Sequence, residues 1–174
     1  PRYGRRGARS RCAGPCRRAR SDSTAWLLES HNPSVRYLAI RDLLDLSPDD
    51  KKLKSARKLA HKEGPITHVL SKMDEDGFWM KPGTGYAPKY KSTVWALILL
   101  AQLGASVKED KRIRLACKYY LDHALSPGGQ LSAMTNNSPS GTADCLQGNM
   151  LWSLMALGYE DKRMDAAYEW MART

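Results

Sequence analysis

Four aromatic residues, Trp79, Tyr86, Tyr90 and Trp95, crowd one short stretch of this 174-residue chain, and Trp152 adds a fifth further on. Their π faces can line an apolar cavity and stabilise a positive charge within it. The same residue types also serve as core and loop anchors, with an apolar body buried and a polar tip bonded. Lys89 and Lys91 flank Tyr90 and carry the charge a diphosphate would need, or else lie in solvent. The cysteines Cys12, Cys16, Cys117 and Cys145 are too scattered for a disulfide framework, which points to a reducing compartment. Cys12-x3-Cys16 has the spacing of half a zinc site, but no second Cys or His pair follows at finger spacing. His31, His61 and His68 read as helix or loop-surface histidines.

The formal net charge of +10 is concentrated at one end. Residues 1-20 hold eight arginines and no acid, which leaves 20 basic against 18 acidic residues in the rest. Residues 1-22 therefore read as a disordered Arg-rich tail, too poor in apolar residues to offset the entropy of ordering. Such a tail can contact nucleic-acid phosphates through counterion release; it equally fits an interaction tail of low specificity or sequence outside the native domain. The missing initiating Met fits a fragment or a processed end, and Pro15 argues against a mitochondrial presequence. No apolar run reaches the 18 or so residues of a membrane span, and no apolar h-region of a secretory signal is present, so the expected location is cytoplasmic.

Residues 23-174 read as one helical domain. Asn32-Pro33 and Ser47-Pro48 each place a polar cap before a first-turn proline, and Gly64-Pro65 stops one helix and opens another. Ser92 precedes Val94 to Ala101, apolar on every side, so a helix over 92-103 is expected to be buried. Ile113, Ala116, Cys117, Tyr120, Leu121 and Ala124 form the narrow stripe of a one-sided helix over 109-124. The alternation returns in a broadly apolar helix over 145-157 and a striped one over 161-172, the latter carrying Met164, Ala167, Tyr168 and Met171.

Leu103-Gly104 followed by Glu109-Asp110-Lys111-Arg112 reappears as Leu157-Gly158 followed by Glu160-Asp161-Lys162-Arg163, and Asp49-Asp50-Lys51-Lys52 is a weaker copy upstream. The chain is therefore expected to be all-α, built of repeated helix pairs that cover one another as a partial α/α toroid or curved helical solenoid. Long loops over 78-91 and 126-142 should emerge on one face, where binding residues are often carried. The stripe of the last helix has nothing downstream to cover it, so self-association or a longer parent chain is expected.

Three segments resemble the squalene cyclase and protein prenyltransferase superfamily of α/α toroids. Gly64 to Trp79, ending in Asp76-Gly77-Phe78-Trp79, is similar to the QW repeat of that family, although Lys72 and Met73 stand where its glutamine is usual. Ala116 to Leu131, with Tyr119-Tyr120-Leu121 and Gly128-Gly129, resembles another copy. Cys145-Leu146-Gln147-Gly148-Asn149-Met150 is similar to the start of an inner helix in bacterial cyclase-like relatives. The resemblance implies a domain that binds an apolar or isoprenoid-like small molecule, with Trp79, Tyr86, Lys89, Tyr90, Trp95, Asn149 and Trp152 as binding candidates.

Catalysis in the cyclases needs a protonated aspartic acid from an Asp-x-Asp-Asp segment, which this chain lacks; Asp74-Glu75-Asp76 is nearest and reads as an exposed turn. The prenyltransferases hold zinc with Asp, Cys and His, and Asp144, Cys145 and His123 supply those types. Adjacent Asp144 and Cys145 point apart, however, so the expected reading is a buried free cysteine behind a capping aspartate. No catalytic residue, metal or cofactor is therefore assigned. The alternative reading is a non-catalytic helical-repeat scaffold for a protein partner.

Overall fold

A computed structural model describes residues 23–134 and 137–174; the tail reading, with Cys12 and Cys16, lies outside them. The described chain is all-α, with two isolated antiparallel bridges and no strand. Its helices are α1 (Ser23–Leu27), α2 (Pro33–Leu43), α3 (Lys51–Lys62), α4 (Pro65–Leu70), α5 (Thr93–Gln102), α6 (Lys111–Ala124), α7 (Asp144–Ala156) and α8 (Arg163–Arg173). None is long and apolar enough to cross a membrane.

Local chemistry sets the helix starts. Asn32 Oδ1 accepts from Val35 N at 3.3 Å, with Pro33 in the first turn of α2. Asp50, Asp110 and Asp161 open α3, α6 and α8 in the same way, each carboxylate accepting a backbone N–H two residues on, at 2.7, 2.9 and 3.0 Å. Asp50 and Asp110 are the N-caps of α3 and α6, whereas Asp161 makes its bond from one residue ahead of Lys162, which holds the cap position of α8; each carboxylate satisfies an amide that the first turn leaves unpaired.

α5 and α7 pack side by side, α6 against α5, and α8 against α7. Before the two neighbouring helices, Thr84 Oγ1 donates to the Ala133 carbonyl at 3.1 Å; after them, Val107 N donates to the Leu157 carbonyl at 2.9 Å. Their beginnings and their ends are thus joined, so α5 and α7 run parallel. The first of these bonds also brings the 78–91 and 126–142 loops together, as the alternation of the sequence predicts.

The devices that lead into α5 and α7 match as well. Gly77 has φ +99° and lies against the Leu115 backbone of α6, and Gly129 has φ +94° and lies against the Ala166 carbonyl of α8. A β-carbon at either place would meet main-chain atoms, and positive φ is strained for other residues. Two residues after each glycine the arriving chain is tied down: Trp79 N donates to Thr93 Oγ1 at 3.1 Å, and Leu131 N donates to Gln147 Oε1 at 2.8 Å. Arg57 pairs with Glu109 at 2.8 Å and Arg163 with Asp122 at 2.6 Å, linking α3 and α8 to the α6 segment.

All six stripe residues of α6 are buried, Ile113, Ala116, Cys117, Tyr120, Leu121 and Ala124. Most of α5 is buried as expected, Thr93, Val94, Ala96, Leu97, Leu100 and Ala101 among it, but α5 and α7 are not covered on all sides: Leu99 is 43% exposed, Trp152 50% and Met155 56%. The last helix is also better covered than its position suggests. Met164 and Ala167 are buried and Tyr168 is half-buried, which leaves Met171 exposed from that stripe. The uncovered apolar surface near the C-terminus therefore includes Trp152 and Met155 of α7 as well as Met171 of α8.

Candidate functional site

A cleft of about 610 Å³ opens between the end of α4, the 79–91 segment and the exposed side of α5. Trp79 lines it and is 3% exposed, held by its amide on Thr93 and by Nε1, which donates to the Val69 carbonyl at 2.9 Å. Both anchors are backbone or first-turn atoms, so the indole is fixed before any ligand arrives.

Trp95 forms a second wall. Its Nε1 donates to the Tyr86 carbonyl at 2.9 Å, and its ring lies 4.7 Å from the Tyr90 ring and 5.7 Å from the Tyr86 ring, tilted to both. Tilted rings at such separations add to the stabilisation their burial gives. Tyr90 is nonetheless 79% exposed and Met80 59%; both line the cleft and both have positive φ, 64° and 69°. Large apolar side chains on strained, exposed backbone are costly unless the surroundings hold them there, and such residues cluster at binding sites. Ala96 and Leu99 continue the apolar wall along α5. His68, Lys72 and Lys91 supply the charged and polar part of the lining.

The structure thus brings together three of the seven binding candidates, Trp79, Tyr90 and Trp95. Tyr86 braces Trp95 but lines a neighbouring cleft of about 450 Å³ with Pro82, Thr84 and Ala133. Lys89 places its Nζ 5.7 Å from the centre of the Tyr86 ring and is not among the cleft residues. Asn149 and Trp152 are exposed on α7, outside the cleft. His68, Lys72, Met80 and Leu99 were not among the candidates. No local signal marks them, because the turn at Asp74 to Trp79 folds the chain back to bring Lys72 and Met80 to one mouth.

The candidate metal set is placed differently from the expectation. Cys145 is exposed, and Asp144 is the first residue of α7 and does not cap it; Ala143 holds the capping position. The expected buried cysteine is Cys117 instead, and burial pushes its thiol up to about 12, far from nucleophilic at neutral pH. His123 is engaged with Tyr119, stacked at 4.0 Å and with Nδ1 2.8 Å from the Tyr119 carbonyl. Among the described residues no group of three or more His, Cys, Asp or Glu is arranged to hold a metal ion. Asp74, Glu75 and Asp76 are exposed, and Asp74 organises a turn in which Asp76 N donates to Asp74 Oδ1 at 3.1 Å.

Two polar residues outside the cleft have structural roles. Gln147 is fully buried, with Nε2 donating to the Leu131 carbonyl at 2.6 Å in addition to its bond from Leu131 N. His61 is more than a surface histidine: Nδ1 lies 2.8 Å from the Arg57 carbonyl, and Nε2 accepts from Ser106 N at 3.0 Å. That pairing requires the neutral ring with its proton on Nδ1. No protein-family model, curated protein or solved structure matches this chain.

Proposed function

We propose that this chain is a helical-repeat binding domain, a partial α/α toroid or curved solenoid, that takes an apolar or isoprenoid-like ligand into the Trp79–Trp95 cleft. One observation carries the reading. Two indoles fixed by backbone hydrogen bonds face a cleft whose volume lies in the small-molecule range of ~300–1,000 Å³. The rings supply apolar surface and π faces at fixed positions, so little side-chain entropy remains to be lost on binding. No residue is assigned a catalytic role, so the proposed activity is binding.

Because both indoles line the cleft, farnesol titrated into the protein should quench tryptophan fluorescence to saturation at one equivalent. Trp95→Ala should weaken binding at least about tenfold, which corresponds to the ~1.4 kcal/mol that a partly lost ring contact represents. Unsaturable quenching, or equal affinity in a Trp95→Ala variant with unchanged circular dichroism, would overturn the proposal.

A second reading, a scaffold that docks a protein partner, is favoured by the exposure of Trp152 and Met155 on α7. Association of the chain with itself is its simplest form. Sedimentation across a concentration series tests it: a Met155→Asp change should lower any self-association, and a concentration-independent monomer removes that form.

A further inference from the structure

Resting on the reading that the cleft takes an apolar ligand, we infer that it selects amphiphiles whose head group is anionic, a carboxylate or a phosphate, over neutral ones of the same chain length. The charged lining is of one sign. Lys72 comes from the segment after α4 and Lys91 from the segment before α5, His68 stands near them, and no acid lines the cleft. Ion pairs elsewhere engage Arg41, Arg57, Arg112, Arg163, Lys54 and Lys118, whereas neither Lys72 nor Lys91 is in one among the described residues.

Two unneutralised ammonium groups beside an apolar wall are complementary to a head group that carries the opposite charge next to a hydrocarbon tail. Attraction at such a boundary is stronger than in open water because the wall excludes solvent from one side. Both lysines are exposed and line the cleft, and a lysine can keep its head in water while its stem covers apolar surface. The aromatic rings alone would also accept a quaternary ammonium; the two lysines repel one. Lys89, the other candidate for an anion, is directed over the Tyr86 ring instead.

The test holds the tail constant and varies the head: dodecyl phosphate, dodecanoate, dodecanol and dodecyltrimethylammonium, each below its micelle-forming concentration, titrated by calorimetry into the full chain. The two anions should bind at least about tenfold more tightly than dodecanol, the ammonium should bind most weakly, and the preference should shrink as salt is raised. In the double variant Lys72→Gln/Lys91→Gln the preference should fall below about twofold while dodecanol affinity is kept.

Equal affinity for dodecyl phosphate and dodecanol overturns this inference and leaves the apolar cleft standing. Failure of every dodecyl compound to bind overturns the cleft reading itself. Inorganic phosphate is the arm without a tail; if it binds as tightly as dodecyl phosphate, the site is a phosphate site and the amphiphile inference fails. Binding to phosphatidylcholine–phosphatidylserine vesicles without binding of the monomeric amphiphiles also overturns it, since the recognised object is then a lipid surface.

Discussion

Replacing Gln147 with methionine keeps the length of the side chain and removes its amide. In the protein that amide is fully buried and closes two hydrogen bonds on one residue, accepting from Leu131 N at 2.8 Å and donating to the Leu131 carbonyl at 2.6 Å. Leu131 is itself 0% exposed, so neither of its backbone groups has water to turn to. Leaving one buried group unpaired costs ~1–3 kcal/mol, and two such losses are partly offset because the glutamine amide no longer has to be desolvated; the net expectation is about 2–4 kcal/mol. Methionine leaves little cavity, so the loss measures the hydrogen bonds. Thr93→Val is the internal control, because Thr93 accepts only the Trp79 amide at the corresponding place and a near-isosteric change should cost about 1–2 kcal/mol. Urea denaturation followed by far-ultraviolet circular dichroism gives both values, with unchanged m showing that only stability moved. A loss below about 1 kcal/mol for Gln147→Met, or a Thr93→Val loss equal to it, would refute the argument that Gln147 serves as a double backbone clamp.

Trp79→Ala should destabilise by about 3–5 kcal/mol in the same assay, because a nearly fully buried indole and its bond to Val69 are lost together; a loss below about half a kcal/mol would leave the QW-like turn without structural content. Gly129→Ala should cost more than about 2 kcal/mol, since its β-carbon would collide with the Ala166 carbonyl at φ +94°, whereas Gly148→Ala on α7, where a β-carbon would meet nothing beyond its own helix backbone, should be neutral or stabilising. Equal melting temperatures for the two alanine variants would contradict that placement. The Arg163 guanidinium beside Asp161 holds its carboxyl well below the usual carboxylate range. The folded value lies below the unfolded one, so this contribution is full above the ordinary value of 3.8 and is lost as pH falls through and below it. Asp161→Asn should accordingly flatten the acid limb of the stability curve measured from pH 7 downward, and an unchanged acid limb would count against the pair.

The elements were legible in the sequence where their causes are local. Asn32 caps α2 with Pro33 in its first turn, as its spacing predicts, whereas the cap expected at Ser47-Pro48 lies at Asp50, beyond the proline, because the Asp50 carboxylate takes the first free amides of α3. The α6 stripe was readable for the same reason: a helix with one apolar side has one way to turn it. A broadly apolar helix gives no such instruction: that α5 and α7 are largely buried follows from their composition, but not which apolar residues stay open, and Leu99, Trp152 and Met155 do. Cys145 was misread through its neighbour, because capping requires the position before the helix and Asp144 lies one residue inside it. The cleft was half legible. Aromatic density marked Trp79, Tyr90 and Trp95, but Lys72 and Met80 reach the same mouth only through the tertiary course of the turn between them.

The repeat itself separates skeleton from site. Between its two better copies the structural devices are kept in kind: Gly77 and Gly129 at positive φ against the next helix, Thr93 and Gln147 holding the arriving backbone, Asp110 and Asp161 each accepting a backbone N–H at the start of the following helix. The cleft residues are not kept. Trp79 corresponds to Leu131 by their matched backbone bonds, and Trp95, counted back from the closing Gly104, corresponds to Asn149 counted back from Gly158. A residue needed to pack one helix pair on the next has a counterpart of the same role in each copy, whereas a residue needed for a ligand has no reason to recur. By that criterion Trp95 belongs to the site, and Trp79 serves both ends, since its amide continues the skeleton while its indole departs from it. Trp95→Asn, which installs the residue of the other copy, should therefore abolish binding in the cleft at a cost in stability well below that of Trp79→Ala. If instead the two variants lose stability equally, Trp95 is a packing residue and the division drawn from the repeat fails.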